Sequence, residues 1–254
     1  MYIKQRTLNT AIDCSGIALH SGRKTVLTIH PAPEDFGIVF VRTDVQGKNP
    51  EIKALWSNVV DTKLCTVIGN EEGVSVSTVE HLMGALRGAE IDNALIEING
   101  PEVPIMDGSA EPFLFLLDCA GIKEQNAPKK AIEILKTIAV GTDEKKAVLT
   151  PSTIGQFFMH ICFDTAVIGT QEKTISLSPN NFKQDIAKAR TFGFVHEVDY
   201  LRKIGLAKGG SLKNAVVISG DGILNEEGLR FKDEFVRHKI LDSVGDMYLA
   251  GYPI

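Results

Sequence analysis

The chain has 254 residues, 44% hydrophobic and 23% charged, ordinary globular values that set aside disorder, collagen and long coiled coil. Such a length supports one large core or two of ordinary size, and two is the expectation. A formal net charge of -5 gives no whole-chain field for a phosphate backbone, so nucleic acid is not an expected partner.

The opening residues, Met1-Tyr2-Ile3-Lys4-Gln5-Arg6, lead into polar sequence and not into an apolar leader. The longest obvious apolar run, Phe113 to Leu117, is too short to cross a bilayer, so a cytoplasmic protein without a transmembrane segment is expected. Cys14, Cys65, Cys119 and Cys162 are widely spaced and form no Cys-x-x-Cys pair, which fits reduced thiols. Thr25-Val26-Leu27-Thr28-Ile29 and Gly37-Ile38-Val39-Phe40-Val41 are short and β-branched. With Pro31-Ala32-Pro33-Glu34-Asp35 between them, they predict a hairpin. Ser77-Thr78-Val79-Glu80 matches a capping box, with Ser77 as N-cap, and predicts a helix from about Thr78 to Arg87 or Gly88 with His81 near its start.

Asn93 to Asn99 alternates as a strand, and Glu111 to Cys119 reads as a helix directed toward Gly121. The polar, proline-containing stretch from Lys123 to Lys130 reads as a linker between a domain of residues 1–124 and one of residues 129–254. Strands are expected over 131–140, 145–149 and 157–163, helices over 182–189 and 198–204, and a last helix from about Phe231 to Leu249. Each half gives strands followed by helices, which argues for an α+β fold with helices packed on sheets.

In Phe235-Val236-Arg237-His238-Lys239-Ile240-Leu241-Asp242, the His and Asp stand four apart, so on a helix both emerge on one face. Asp246 extends that face, while Ile240, Leu241 and Val244 can pack on the other. Alone, such a pair more often means a surface ion pair, just as Glu80-His81 alone more often means a capping carboxylate beside a partly exposed imidazole. Together they supply what a catalytic metal needs: two imidazoles, one carboxylate and a neighbouring carboxylate outside the ligand set.

With these pieces the sequence resembles the UDP-3-O-acyl-N-acetylglucosamine deacetylases over nearly all its length. The matching stretches are Leu19-His20-Ser21-Gly22, Asp61-Thr62-Lys63-Leu64-Cys65-Thr66, Ser77-Thr78-Val79-Glu80-His81-Leu82, Ile91-Asp92-Asn93, Pro104-Ile105-Met106-Asp107-Gly108-Ser109, Arg190-Thr191-Phe192-Gly193-Phe194, Gly209-Gly210-Ser211 and His238-Lys239-Ile240-Leu241-Asp242. The resemblance implies two sandwich-like domains with the active site between them, Zn2+ on His81, His238 and Asp242, Glu80 as general base and Thr191 as donor to the oxyanion. It further implies that Lys239 joins a basic patch for the diphosphate of a UDP-sugar lipid substrate, with His20 in the same patch or merely in a turn. Phe163 is implied as a stacking surface for uracil or as a core residue, with Phe192 and Phe194 close to substrate. The region from Phe194 to Val217 resembles the family's inserted unit that forms a passage for the acyl chain. Val198, Leu201, Ile204 and Leu206 would line it or pack a helix core.

Two departures stand out. Ala18 replaces the usual Gly before Leu19-His20. The chain stops at Ile254, whereas the family continues into a Ser-Gly-His motif whose histidine, oriented by Asp246, serves as a cationic general acid; without it, poor turnover is expected. A monomer is expected. The competing readings are a non-catalytic homologue that binds the lipid precursor and a zinc amidase acting on another acetylated sugar.

Overall fold

The computed structural model describes residues 2–254. The first half is organised by a five-stranded sheet in the order β2-β3-β9-β4-β5, formed by β2 (Ile12–Ile17), β3 (Lys24–Pro31), β4 (Ile38–Arg42), β5 (Glu51–Lys53) and β9 (Ala94–Ile98). Only β4 and β9 run parallel. The predicted strands at 25–29 and 37–41 are thus present as β3 and β4, but they do not form a hairpin. β9 lies between them and bonds to both, an arrangement that local turn chemistry cannot signal.

A second, three-stranded sheet of β6 (Val59–Asp61), β7 (Val67–Gly69) and β8 (Ser75–Ser77) leads into α1 (Glu80–Gly88). The capping box is not formed. Ser77 ends β8 and gives its N–H to Pro101, Val79 precedes the helix without a side-chain cap, and the Glu80 carboxylate is engaged elsewhere. Thr78, between strand and helix, has φ 57, a left-handed conformation that costs a β-branched residue roughly 1–2 kcal/mol. Its hydroxyl donates to the buried Glu102 carboxylate at 3.1 Å, which holds the kink that turns Glu80 and His81 inward.

α2 (Glu111–Ala120) ends at Gly121, whose φ of 71 suits a glycine. The stretch read as a linker is a strand, β10 (Ile122–Pro128), paired antiparallel with β1 (Lys4–Leu8). It looked like a loop because most of its residues face water. The buried Asn93 fastens this ribbon to the sheet by donating to both Gln5 and Gln125, which gives the Ile91-Asp92-Asn93 stretch a structural role.

Two ribbons follow, β11 (Ile138–Gly141) with β12 (Lys146–Leu149) and β13 (Gln156–Cys162) with β14 (Thr170–Ser176). The expected strand over 131–140 shortens to β11. The helix predicted at 182–189 begins earlier, with α3 (Pro179–Asn181) running into a wide turn over Phe182–Ile186. β15 (Phe192–Phe194), β16 (Val216–Ser219) and β17 (Gly222–Ile223) form a small mixed sheet, and α4 (Val195–Lys203) connects the first two. α5 (Glu234–Tyr248) closes the series. All four cysteines are free, and among the described residues no helix is long and apolar enough to cross a membrane.

α5 packs directly on α1. Its Ile240, Leu241 and Val244 are fully buried in the main core beside Leu82, Met83 and Leu86, each worth about 1.5–3 kcal/mol of burial. The helices approach closely because Gly84 and Gly245 face each other. A Cβ on Gly245 would overlap the backbone carbonyl of Glu80, which cannot move aside as a side chain can. Gly245→Ala is therefore expected to destabilise by about 1–3 kcal/mol or more, read as a lowered midpoint in denaturant. An unchanged midpoint would show that the helix contact is slack.

Candidate metal centre

α1 delivers His81 and α5 delivers His238 and Asp242, so the two helices that pack most closely carry all three donors. His81, His238 and Asp242 each offer a ligand atom, and these atoms lie within 4.8 Å of one another. Asp242 Oδ1 is 3.4 Å from His81 Nε2 and 3.3 Å from His238 Nε2. Those separations match an edge of a tetrahedron built on bonds of about 2.0–2.1 Å, roughly 3.3 Å, the size of a zinc site with nitrogen and oxygen ligands. Asp242 Oδ1 is buried and lacks a hydrogen-bond partner among the described residues, a costly state unless a cation completes it. The donors therefore fit a metal ion.

Surrounding groups fix the donors. Ala189 O lies 3.0 Å from His238 Nδ1 and accepts its proton, which leaves the Nε2 lone pair facing Asp242. Burial pushes His238 down to about 4, so it is the neutral, ligating form that the site holds. Burial alone would raise Asp242, but His238, Lys239 and His81 outweigh it and hold its carboxyl well below the usual range. Lys239 Nζ donates to Asp242 Oδ2 at 3.2 Å and sits 5.5 Å from the centre of the Phe192 ring.

Two further carboxylates flank the donors. Glu80 opens α1 beside His81. Burial pushes it up to about 7, with His81 opposing and Asp242 and Asp246 adding to the rise. Asp246, one turn beyond Asp242, is raised to about 6 by burial, against the hydrogen bond it accepts from Thr66. A buried carboxylate poised near neutrality is suited to taking and returning a proton.

Thr191 is held by its backbone: its N–H donates to Gly108 and its carbonyl accepts from Val216. Its hydroxyl has no hydrogen bond among the described residues, so its proton is free for another acceptor. The neighbouring Arg190, whose role the motif Arg190-Thr191-Phe192-Gly193-Phe194 does not reveal, is almost fully buried and forks onto the wholly buried Glu234 at the start of α5. That pair ties the Ala189-Arg190-Thr191 segment, which leads into β15, to the helix carrying His238. No local signal marks it, because Glu234 lies 44 residues away.

The remaining predicted residues spread around this centre. Phe163, Phe192 and Phe194 form an aromatic group, with Phe163 and Phe192 ring centres 5.7 Å apart, and Phe192 reaches within 6.3 Å of His238. Phe163 and its neighbours pack against a second apolar cluster around Phe235 and Val236. His20 is buried: its own N–H and that of Ser21 donate to Glu102, and burial lowers its pKa. Val198, Leu201 and Leu206 are half-buried and Ile204 is exposed. α4 has no fully buried residue, so its apolar side covers no core of its own.

Two histidines and an aspartate beside a non-ligating carboxylate form a donor set of the kind that metal-dependent hydrolases use. The sequence profile of the LpxC family, UDP-3-O-acyl N-acetylglycosamine deacetylase, matches residues 5–254, and the chain belongs to that family. It is 50% identical to the UDP-3-O-acyl-N-acetylglucosamine deacetylase of Acidithiobacillus ferrooxidans over 99% of this chain and 83% of that protein. The enzyme of the same name from Teredinibacter turnerae is 52% identical over 98% and 82%, and that of Pasteurella multocida 50% over 99% and 83%.

Proposed function

We propose that this chain hydrolyses the N-acetyl group of a UDP-3-O-acyl-N-acetylglucosamine, releasing acetate and the free amine in an early step of lipid A biosynthesis, in the cytoplasm and as a monomer. The observation that carries the reading is the convergence of His81, His238 and Asp242 on one point with Asp242 Oδ1 otherwise unpartnered. Family membership supports the substrate.

His81 Nε2, His238 Nε2 and Asp242 would hold the ion, which we take to be zinc. When bound, zinc supplies a Lewis acid and lowers the pKa of a water at its open position. Glu80 accepts the proton of the attacking water, since its carboxyl sits near neutrality beside the donors. Thr191 donates its unused hydroxyl proton to the oxygen of the acetamide as negative charge builds there. Glu80, once it holds the water's proton, returns it to the nitrogen of the leaving amine, and we assign Asp246 to orient the cationic acid that the family resemblance adds to this step. Lys239, partly exposed beside Asp242, meets the anionic diphosphate, and we assign His20 to the same basic patch. Phe163, Phe192 and Phe194 offer flat surfaces to the uracil end. The half-covered side of α4, with Val198 and Leu201, and the turn after it, with Ile204 and Leu206, suit an acyl chain because no core claims the helix.

The test is acetate release from the UDP-sugar substrate before and after chelation. Release that stops on chelation, returns with zinc and is blocked by a hydroxamate, which chelates through two oxygens, is expected. Substrate binding without release would make the chain a non-catalytic binder. Equal release from unrelated acetylated sugars would make it a general zinc amidase.

A further inference from the structure

Between β6 and β7, Thr66 is buried and uses every polar group it has. Its carbonyl accepts the N–H of Val79, the residue that precedes α1, at 3.4 Å. Its own N–H donates to Glu80 Oε2 at 3.1 Å, and its hydroxyl donates to Asp246 Oδ1 at 2.7 Å. One residue therefore holds the start of α1, the carboxylate on that helix and a carboxylate on α5, 180 positions away in the chain. Among the described residues no other side chain is hydrogen-bonded to either carboxylate, so Thr66 is the residue that links Glu80 to Asp246.

We infer that Thr66 is a positioning residue for proton transfer: it fixes in one arrangement Glu80, which takes the water's proton, and Asp246, which orients the donor to the leaving amine. This rests on the reading of Glu80 as the base. A carboxylate left to rotate in a buried pocket would spend much of its time pointing away from the attacking water, and a misplacement of about 1 Å is enough to slow such a step 10²-fold. The threonine is suited to the task because its hydroxyl and backbone N–H leave the same residue in two directions. Its methyl group fills buried space that a serine would leave open.

The experiment compares Thr66→Val, Thr66→Ser, Glu80→Gln and the double variant Glu80→Gln with Thr66→Val. All four are measured for bound metal per chain, melting temperature, kcat and KM. Valine keeps the shape and the backbone bond to Glu80 but removes the donor to Asp246. A hydrogen bond to a charged group corresponds to about a 10- to 100-fold change, so kcat of Thr66→Val should fall by that factor with KM within about 2-fold. Metal content should not change. Serine should restore kcat to within about 3-fold, and valine should cost less in the Glu80→Gln background than in the unaltered protein, because Thr66 sets the two carboxylates relative to each other. Unchanged kcat in Thr66→Val, while Glu80→Gln is slow, overturns the inference and spares the base. Wild-type turnover in Glu80→Gln removes the base, and the inference with it. Loss of metal or of melting temperature in Thr66→Val that serine does not repair would make Thr66 a structural hub only.

Discussion

Alanine at His238 or at Asp242 is expected to give a folded protein that no longer retains a metal ion through dialysis, against about one ion per chain in the unaltered protein. Three donors converge on one point, and a site with two donors lacks the ligand count that zinc takes from a protein. The two variants should differ in stability. Asp242→Ala removes the anion that holds Lys239 and faces both imidazoles, and relieves a buried carboxylate oxygen of its unpartnered state. His238→Ala instead leaves Ala189 O without its donor and opens a void beside Phe235 and Phe192, a loss of about 1–3 kcal/mol. Elemental analysis of the dialysed proteins, with unfolding in denaturant alongside, reads both effects. Full metal content in both variants would place the ion elsewhere.

Glu80→Gln should keep the ion and lose about 10²–10⁴-fold in turnover, the range for removing a general base. Glutamine has the same shape, and its carbonyl oxygen can still accept the Thr66 N–H, so α1 should begin as before. What it cannot do is take a proton. Metal analysis and steady-state rates on the same preparations separate the outcomes: loss of the ion would make Glu80 a ligand, and an unchanged rate would assign the base elsewhere.

Much of the site was legible because its signals are local. His238 and Asp242 are four apart on an amphipathic helix, and helical periodicity alone puts them on one face beside the buried Ile240, Leu241 and Val244. Glu80 and His81 are adjacent at a helix start that the sequence places within two residues. The helix does not start on the capping box that the local pattern predicts, because Ser77 belongs to β8 and the Glu80 carboxylate accepts from Thr66. The same limit hid the pairing of β3 and β4 through β9, and made the exposed strand β10 read as a linker. Thr66 and Arg190 lie in stretches that carry the resemblance, but their roles are not legible there, and Glu234 carries no signal, since their partners are distant in the chain and only the folded structure brings them together.

The way the core is assembled also bears on the order in which the molecule can form. β1 must wait for β10 before its edge is paired, and the main core that encloses Leu8 and Phe40 also takes in Ile240, Leu241 and Leu249. Contacts of such long sequence separation carry a loop-closure cost before they return any stabilisation, so folding should be slow for a chain of this size. During synthesis, the apolar side of α1 emerges long before α5 exists to cover it and is open to wrong partners in that interval. His81 meets His238 and Asp242 only when that late helix docks. Metal capture thus reports the arrival of α5: a nascent or partly folded chain offers a single imidazole, and only the completed molecule offers a site.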